Sequence, residues 1–292
     1  MIISFSKCKL GQHEIPVEDA FRYWRNKKNM IMCVADGITR DLVNGNVIPD
    51  FNSIDYYKDM KLYYPKPSPA KIAADVFCNA FVYYLDGKLD VNERILRDTF
   101  QHCNDEIKIL NKKNLKNMDY LANDYWGCEA SGGVIQNNTL YWSYICDCGV
   151  CVYDKNGSLK FRTNNDMKNI KQYLESIKFD WKLRECRKLV RSRFRNNPRN
   201  VINGRLLSYG AFTGEQNVMR FLKTGKVELS YGDYVFFYSH GMEDIVYSSS
   251  FIHHILTYGL ISLDEFCNHM AKQDKRYESE GSLIAISFFG AE

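Results

Sequence analysis

The sequence lacks three features that would assign it to a special class of protein. It contains no uninterrupted apolar run of about 18 residues, which excludes a membrane-spanning helix. Its 39 basic and 35 acidic residues leave a net charge of only +4 over 292 residues, so the charge gives no sign of a nucleic-acid or membrane partner. There is no repeat, linker or low-complexity tract. With 45% hydrophobic and 25% charged residues, the composition predicts one globular domain over residues 1–292.

The chain also lacks the sequence signs of an exported, disulfide-rich protein. Its first residues, Met1 to Phe5, have no basic start and no apolar run long enough for a signal peptide. The ten cysteines are mostly isolated in apolar stretches, which is typical of buried, reduced thiols in a cytoplasmic protein. Cys146, Cys148 and Cys151 lie close together, but no second CxxC or histidine pair completes a zinc site. We therefore expect a cytoplasmic protein without structural zinc.

The order of apolar patterns predicts an α+β fold. Alternating or continuous apolar stretches predict strands at 17–25, 29–36, 132–135, 139–145, 149–153, 158–162, 234–239 and 282–289. Helical spacing predicts helices at 68–86, 92–111, within 165–195, at 249–258 and after a capping box formed by Ser262 and Glu265. Strands near both ends with helices between them favour helices packed on antiparallel sheets.

Carboxylates at the ends of the first predicted hairpin are the first candidate for chemistry. Glu18 and Asp19 lie in one predicted strand, and Asp36 and Gly37 end the next. A hairpin would bring these carboxylates together beside the Gly37 carbonyl, which gives the hard oxygen donors that Mg²⁺ and Mn²⁺ prefer. On spacing alone, an ordinary Asp-Gly turn after a buried strand explains the pattern equally simply.

A resemblance that extends over most of the chain favours the metal-site interpretation. Segments of the sequence resemble, in the same order, the motifs of the PPM-type (protein phosphatase type C) metal-dependent Ser/Thr phosphatases. The matching segments are Val17 to Phe21, Val34 to Gly37, the helix 68–86, Gly127 to Ala130 with 140–153, Thr163 to Asp166, 207–215 with Gly232 to Asp244, and Ser279 to Ile286.

The resemblance implies a fold and an activity. The fold would be a four-layer αββα sandwich, in which two antiparallel sheets are flanked by helices. The activity would be hydrolysis of Ser/Thr phosphoesters by water held between two Mn²⁺ or Mg²⁺ ions. Carried over by position, Asp36 would bridge both ions and the Gly37 carbonyl would bind one. Glu18 and Asp19 would serve that ion directly or through its waters, and Asp147 would lie near a third ion.

The sequence departs from the family at the second ion site. The aspartate of the family's Ser-Asp-Gly motif is His240 here, and the aspartate that opens the last motif is Ser279. That site loses two negative charges. Histidine can bind Mn²⁺, Fe²⁺ or Zn²⁺ but suits Mg²⁺ poorly, and Glu278 or Glu280 could supply the missing carboxylate.

The expected phosphate clamp is also changed. The position of the family's phosphate-binding arginine is Glu14, with His13 beside it, and an acidic side chain there would repel a phosphate. A basic segment at 182–199 contains Arg191, Arg193 and Arg195 and lies near the family's flap, where it could recruit phosphorylated substrate. A solvated helix face is the simpler interpretation, and nucleic-acid binding has the least support because no binding motif accompanies the charges.

Two functions remain open from the sequence. Asp36, Gly37, Glu18 and Asp19 favour an active metal-dependent phosphatase acting on a phosphorylated protein. His240, Ser279 and Glu14 favour a phosphatase-like protein that lost catalysis and binds or regulates a protein partner. Function depends on the site and not on the fold, and the retained ligands of one ion make the enzyme our working hypothesis.

Overall fold

The computed structural model describes residues 1–7, 17–38, 66–115, 125–179 and 184–290. Ten of the described strands form two five-stranded sheets. The first has the order β1-β12-β11-β6-β7 and the second β10-β5-β4-β3-β2. All neighbouring strands are antiparallel. The strands are β1 (Ile2–Lys7), β2 (Ala20–Arg25), β3 (Asn29–Gly37), β4 (Cys128–Gln136), β5 (Thr139–Tyr144), β6 (Gly149–Tyr153), β7 (Leu159–Arg162), a small hairpin of β8 (Val201–Ile202) and β9 (Arg205–Leu206), β10 (Lys223–Glu228), β11 (Tyr234–Tyr238) and β12 (Gly281–Ser287).

Helices cover the outer faces of both sheets. The described helices are α1 (Pro69–Asp86), α2 (Glu93–Asn114), α3 (Met167–Ser176), α4 (Arg184–Leu189), α5 (Glu243–Val246), α6 (Ser249–Tyr258) and α7 (Leu263–Gln273). Helix α4 continues into a π-helical turn, Val190–Phe194. No helix among the described residues combines the length and apolar character needed to cross a membrane.

The side chains of β3 show how the layers are held together. Ile31 and Cys33 point into a core shared with α1 and α2, where they meet Phe77 and Phe100. Met32, on the other side of the strand, points into the core between the two sheets. A strand buried on both faces is apolar throughout. Each fully buried large side chain contributes roughly 2 kcal/mol to the stability of the folded protein. A third core, between β11 and β12 and helices α6 and α7, completes the αββα sandwich predicted from the resemblance.

Helix α1 begins where the sequence predicts. Ser68 is its N-cap and its Oγ accepts a hydrogen bond from the backbone N–H of Lys71 at 3.0 Å. Pro69 occupies the first helical position, where its missing N–H costs nothing. The helix ends at Gly87. Local capping chemistry therefore fixes the start of the helix beside the end of β3.

Three features differ from the sequence prediction. Strands β1 and β10 are absent from it, because both are edge strands whose place depends on pairing with distant partners. The predicted capping box is wrong, although α7 does begin after Ser262. Ser262 has a left-handed backbone (φ 51°, ψ 28°) and its hydroxyl makes no capping bond. The helical pattern within 165–195 is divided between α3, α4 and the π-helical turn.

Candidate metal centre

The candidate site lies at one end of the sandwich, between the two sheets. Strand β3 ends there with Asp36 and Gly37, and β4 begins there. On the other sheet, β11 ends just before His240 and β12 begins just after Glu280. Antiparallel pairing brings the end of one strand to the start of its neighbour. Four chain segments that are distant in sequence therefore meet at this end.

Asp36 and Glu129 lie opposite each other on the neighbouring strands β3 and β4. Asp36 is half-buried and Glu129 is buried. Gly37 packs so closely that a Cβ atom would lie 2.8 Å from the Ala70 carbonyl and from the Glu18 carbonyl oxygen. Because only glycine fits, the end of β3 can approach the start of α1 and hold Asp36 at the edge of the sheet.

Asp147 lies in the connection between the two sheets, after β5. The residue before it, Cys146, has a left-handed backbone with φ 65°. Asp147 Oδ2 lies 3.2 Å from His240 Nδ1 and 3.9 Å from Lys171 Nζ. Within the described part of the chain, Asp147 Oδ1 has no hydrogen-bond partner. The site therefore contains one buried carboxylate oxygen, Asp147 Oδ1, with unused lone pairs.

Glu129, Cys146 and Asp147 form a compact set of donors. One ligand atom from each residue lies within 4.8 Å of the others. Burial raises the pKa of Glu129 well above its usual value, and the Asp147 carboxylate adds to this effect. Burial alone would raise the pKa of Asp147 too, but His240, a hydrogen bond with Glu129 and Lys171 outweigh it, so this pKa is lowered. The opposite directions of the two pKa shifts favour a proton on Glu129 rather than on Asp147.

A cavity of about 310 Å³ opens beside these acidic groups. Lys171, Arg191 and Arg195 form its basic wall. The two arginines are only 3% and 8% exposed, so the basic segment is not a uniformly solvated face. Arg193 points elsewhere, is exposed, and lies with its guanidinium 5.9 Å from the centre of the Phe194 ring. The remaining lining residues are Asp36, Gly37, Ile38, Glu129, Asp147, Met167, Val190, Tyr209, His240, Ser279 and Glu280.

Glu18 and Asp19 are buried near this cavity but do not line it. The backbone N–H of Glu18 donates to Glu280 Oε2 at 3.0 Å. Asp19 Oδ2 accepts a 2.5 Å hydrogen bond from Ser239 Oγ, which in turn accepts from the Ser282 N–H at 2.8 Å. Burial raises the pKa of Asp19 to about 6. Asp19 therefore connects the strand β2 region to the ends of β11 and β12.

The positions of the two altered motifs are also clear. Ser279 and Glu280 both line the cavity, so Glu280 lies where the sequence allowed a replacement carboxylate. Gly241 makes this approach feasible, since a Cβ atom there would overlap the Glu280 carbonyl oxygen. Glu14 and His13, like the start of the basic segment at 182–183, lie outside the described residues.

Two residues of the site were missed in the sequence. Glu129 is an acidic residue in an otherwise apolar and small-residue strand, and its pairing opposite Asp36 is the signal that could have identified it. Lys171 gives no such signal, because a lysine on an amphipathic helix normally faces solvent. Its position depends on how α3 packs over the end of the sheets.

The donor set at Asp147 fits a divalent cation. The Asp147 and Glu129 carboxyl groups and the His240 imidazole lie together at one wall of the cavity. The unpartnered Asp147 Oδ1 is the kind of buried atom that an ion would satisfy. The imidazole of His240 and the neighbouring thiol of Cys146 favour Mn²⁺ or another transition ion over Mg²⁺.

Sequence comparison gives no assignment for this chain. No protein-family model matches it, and no curated protein is significantly similar to it.

Comparison of structures does find similar proteins. A bacterial serine phosphatase is 12% identical, with a TM-score of 0.63 over 100% of this chain and 98% of its own. The catalytic domain of the serine/threonine phosphatase PstP, solved with two manganese ions, is 12% identical, with a TM-score of 0.59 over 99% and 98%. RsbX, solved with magnesium, is 12% identical, with a TM-score of 0.52 over 97% and 92%. The chain therefore has the fold of the PPM-type phosphatases, and the fold prediction is confirmed.

Proposed function

We propose that this protein is a metal-dependent phosphatase that hydrolyses Ser/Thr phosphoesters of a phosphorylated protein substrate. The observation that carries the proposal is the division of one cavity into an acidic and a basic wall. Asp36 and Asp147 lie on the acidic side, and Arg191 and Arg195 lie on the basic side. A divalent ion needs the first wall and a phosphoryl group needs the second.

The acidic wall is the proposed place of the metal, Mn²⁺ in preference to Mg²⁺. Asp36, the Gly37 carbonyl, Asp147 and His240 would hold it, with Glu129 as an added ligand. When bound, such ions offset phosphoryl charge and lower the pKa of a coordinated water. Since metal ligands must be deprotonated, binding would displace the proton from Glu129.

Glu18 and Asp19 are proposed to act at a distance from the ion. Glu18 is one residue from the serine-bonded Asp19 and holds Glu280 through its backbone N–H. From this position the Glu18 carboxylate would reach the metal only through water. Asp19 would keep the ends of the two sheets in register.

The basic wall is proposed to bind the phosphoryl oxygens. Arginine offers two parallel N–H groups to a phosphate, and two arginines at one wall can fix its orientation. Lys171 lines the cavity beside His240, with its Nζ 3.5 Å from His240 Nε2, and adds a third positive charge. These basic groups would bind the phosphate in place of the family's arginine, whose position is occupied by Glu14 in this sequence.

The cellular compartment and the domain organisation of the protein are also proposals. The nine cysteines in the described ranges are free thiols, which supports a reducing compartment such as the cytoplasm. We further propose that residues 1–292 form a single domain.

The function is tested by hydrolysis of an aryl phosphate and a phosphothreonine peptide with Mn²⁺, with Mg²⁺ and with a chelator. We expect phosphate release with Mn²⁺, less with Mg²⁺ and none with the chelator. Asp36→Asn should abolish release, whereas Asp98→Asn, an exposed aspartate on α2, should leave it unchanged. A protein that binds Mn²⁺ but releases no phosphate under any of these conditions would support the binding and regulatory alternative instead.

A further inference from the structure

A second cleft, of about 650 Å³, lies next to the candidate metal centre. The two spaces share a wall. Met167 and Lys171 line the first, and their neighbours Asp166 and Lys168 line the second. His240 lines the first and Glu243 the second. A chain seated in the cleft would therefore lie close to the phosphoryl position.

The cleft carries an excess of positive charge. Its acidic residues are already engaged, since Asp166 is paired with Lys223 and Glu243 accepts a 2.5 Å hydrogen bond from Asn165 Nδ2. Four further cations line it, and all four are exposed. They are Arg162, Lys168, Arg205 and Arg220. None of the four forms an ion pair with a residue that the structure describes.

A buried hydroxyl in the same cleft points to a specific ligand group. Ser208 lines the cleft and is only 5% exposed. Its Oγ has no hydrogen-bond partner among the described residues. A buried polar atom without a partner costs free energy, and an anionic oxygen lodged among the cations would satisfy it. The cleft therefore combines long-range attraction for an anion with one short-range donor.

We propose that this cleft binds an acidic segment next to the phosphorylated residue of the protein substrate. This inference rests on the proposed phosphatase function and adds a rule for substrate choice. The phosphoryl group would enter the first cavity, while aspartate or glutamate side chains on the same chain would meet Lys168, Arg205, Arg220 and Ser208. Carboxylates suit both the charge and the donor of the cleft.

The cleft is less suited to nucleic acid. Single-stranded binding sites stack bases on exposed aromatic rings. Here Phe221 is buried, and the ring of Tyr247 faces the guanidinium of Arg162 at 5.7 Å, with its hydroxyl bonded to Tyr238. No exposed aromatic platform lies among the described residues of the cleft.

The test measures binding of two fluorescein-labelled phosphothreonine peptides by anisotropy, with the metal chelated. One peptide carries a run of glutamates beside the phosphothreonine and the other a run of glutamines. We expect the glutamate peptide to bind about tenfold tighter at low salt, with the difference shrinking as salt is added. The triple variant Lys168→Glu, Arg205→Glu, Arg220→Glu should remove the difference, and Ser208→Ala should reduce it severalfold.

A matched control separates the cleft from the overall charge. The triple variant Lys112→Glu, Lys113→Glu, Lys272→Glu changes three exposed lysines on α2 and α7 and alters the net charge equally. It should keep the preference for glutamate. The proposal would be overturned if both triple variants lost the preference for glutamate equally, or if the cleft variant or Ser208→Ala kept it unchanged. It would also be overturned if an oligouridine bound the cleft more tightly than the glutamate peptide. Because binding is measured without turnover, the result is independent of whether the protein hydrolyses phosphoesters.

Discussion

Asp19 and Asp147 are both buried at the same end of the sandwich, but their carboxyl groups are shifted in opposite directions. Asp19 meets Ser239 and no nearby cation strong enough to offset its burial, so its pKa rises to about 6. Asp147 faces His240 and Lys171, and its pKa is lowered. Burial alone therefore does not mark a functional carboxylate. What distinguishes Asp147 is the positive charge around it and its place in the cavity wall.

The largest expected difference between the two aspartates is in stability. Asp19→Ala removes the acceptor of the Ser239 hydroxyl and the connection between the sheets, so we expect the free energy of unfolding to fall by about 2–3 kcal/mol. Asp147 lines the cavity, so water can fill the space left by Asp147→Ala. We therefore expect the free energy of unfolding to fall by about 1 kcal/mol or less. Urea unfolding of both variants without metal measures the two values. Equal losses would mean that Asp147 is also a structural carboxylate.

The second difference concerns metal binding. Asp147→Asn removes the ionised oxygen donor, and we expect Mn²⁺ affinity to fall at least tenfold, which corresponds to about 1.4 kcal/mol. Asp19→Asn keeps an acceptor for Ser239 and lies off the cavity wall, so its affinity should change less than about threefold. Isothermal titration with Mn²⁺ gives both constants. A larger effect at Asp19 would return the ion to the position that the sequence first suggested.

Restoring the family's acidic residues should sharpen the contrast. The double variant His240→Asp, Ser279→Asp removes the imidazole that lies 3.2 Å from Asp147 Oδ2 and adds carboxylates to the cavity. Without metal, the repulsion should destabilise the fold by about 1 kcal/mol. Added Mn²⁺ should more than recover this loss and raise phosphate release severalfold. Thermal melts with and without Mn²⁺, followed by phosphate assays, test both parts. A variant that gains nothing from Mn²⁺ would show that lost ligands do not limit this site.

The smallest expected effect comes from Lys171. Its ammonium lies 3.9 Å from Asp147 Oδ2 and its side chain is 42% exposed, so solvent screens most of the interaction. Lys171→Met removes a charge that competes with the metal, and Mn²⁺ affinity should rise about twofold. Titration in parallel with Lys178→Met, an exposed lysine just beyond α3, provides the control. A weaker affinity after Lys171→Met would indicate that the lysine orients a ligand.

The sequence was most informative where structure depends on neighbours along the chain. Ser68 and Pro69 define the start of α1, and the apolar run before Asp36 defines β3. The contribution of Glu129 depends on the register between β3 and β4, which no local pattern encodes. Ser262 shows a case in which a local pattern misleads. The residues fit a capping box, but the left-handed backbone of Ser262 leaves its side chain without a capping hydrogen bond.

Residues 166–168 form a partition with one side on each of the two spaces, as Asp166 and Lys168 line the cleft and Met167 lines the cavity. A ligand that shifts this partition acts on both spaces at once. If an acidic segment in the cleft improves the affinity for a phosphoryl group by some factor, thermodynamic reciprocity requires that the phosphoryl group improve the affinity for the acidic segment by the same factor. Removal of the phosphoryl group would then weaken the hold on the segment and favour release of the dephosphorylated product.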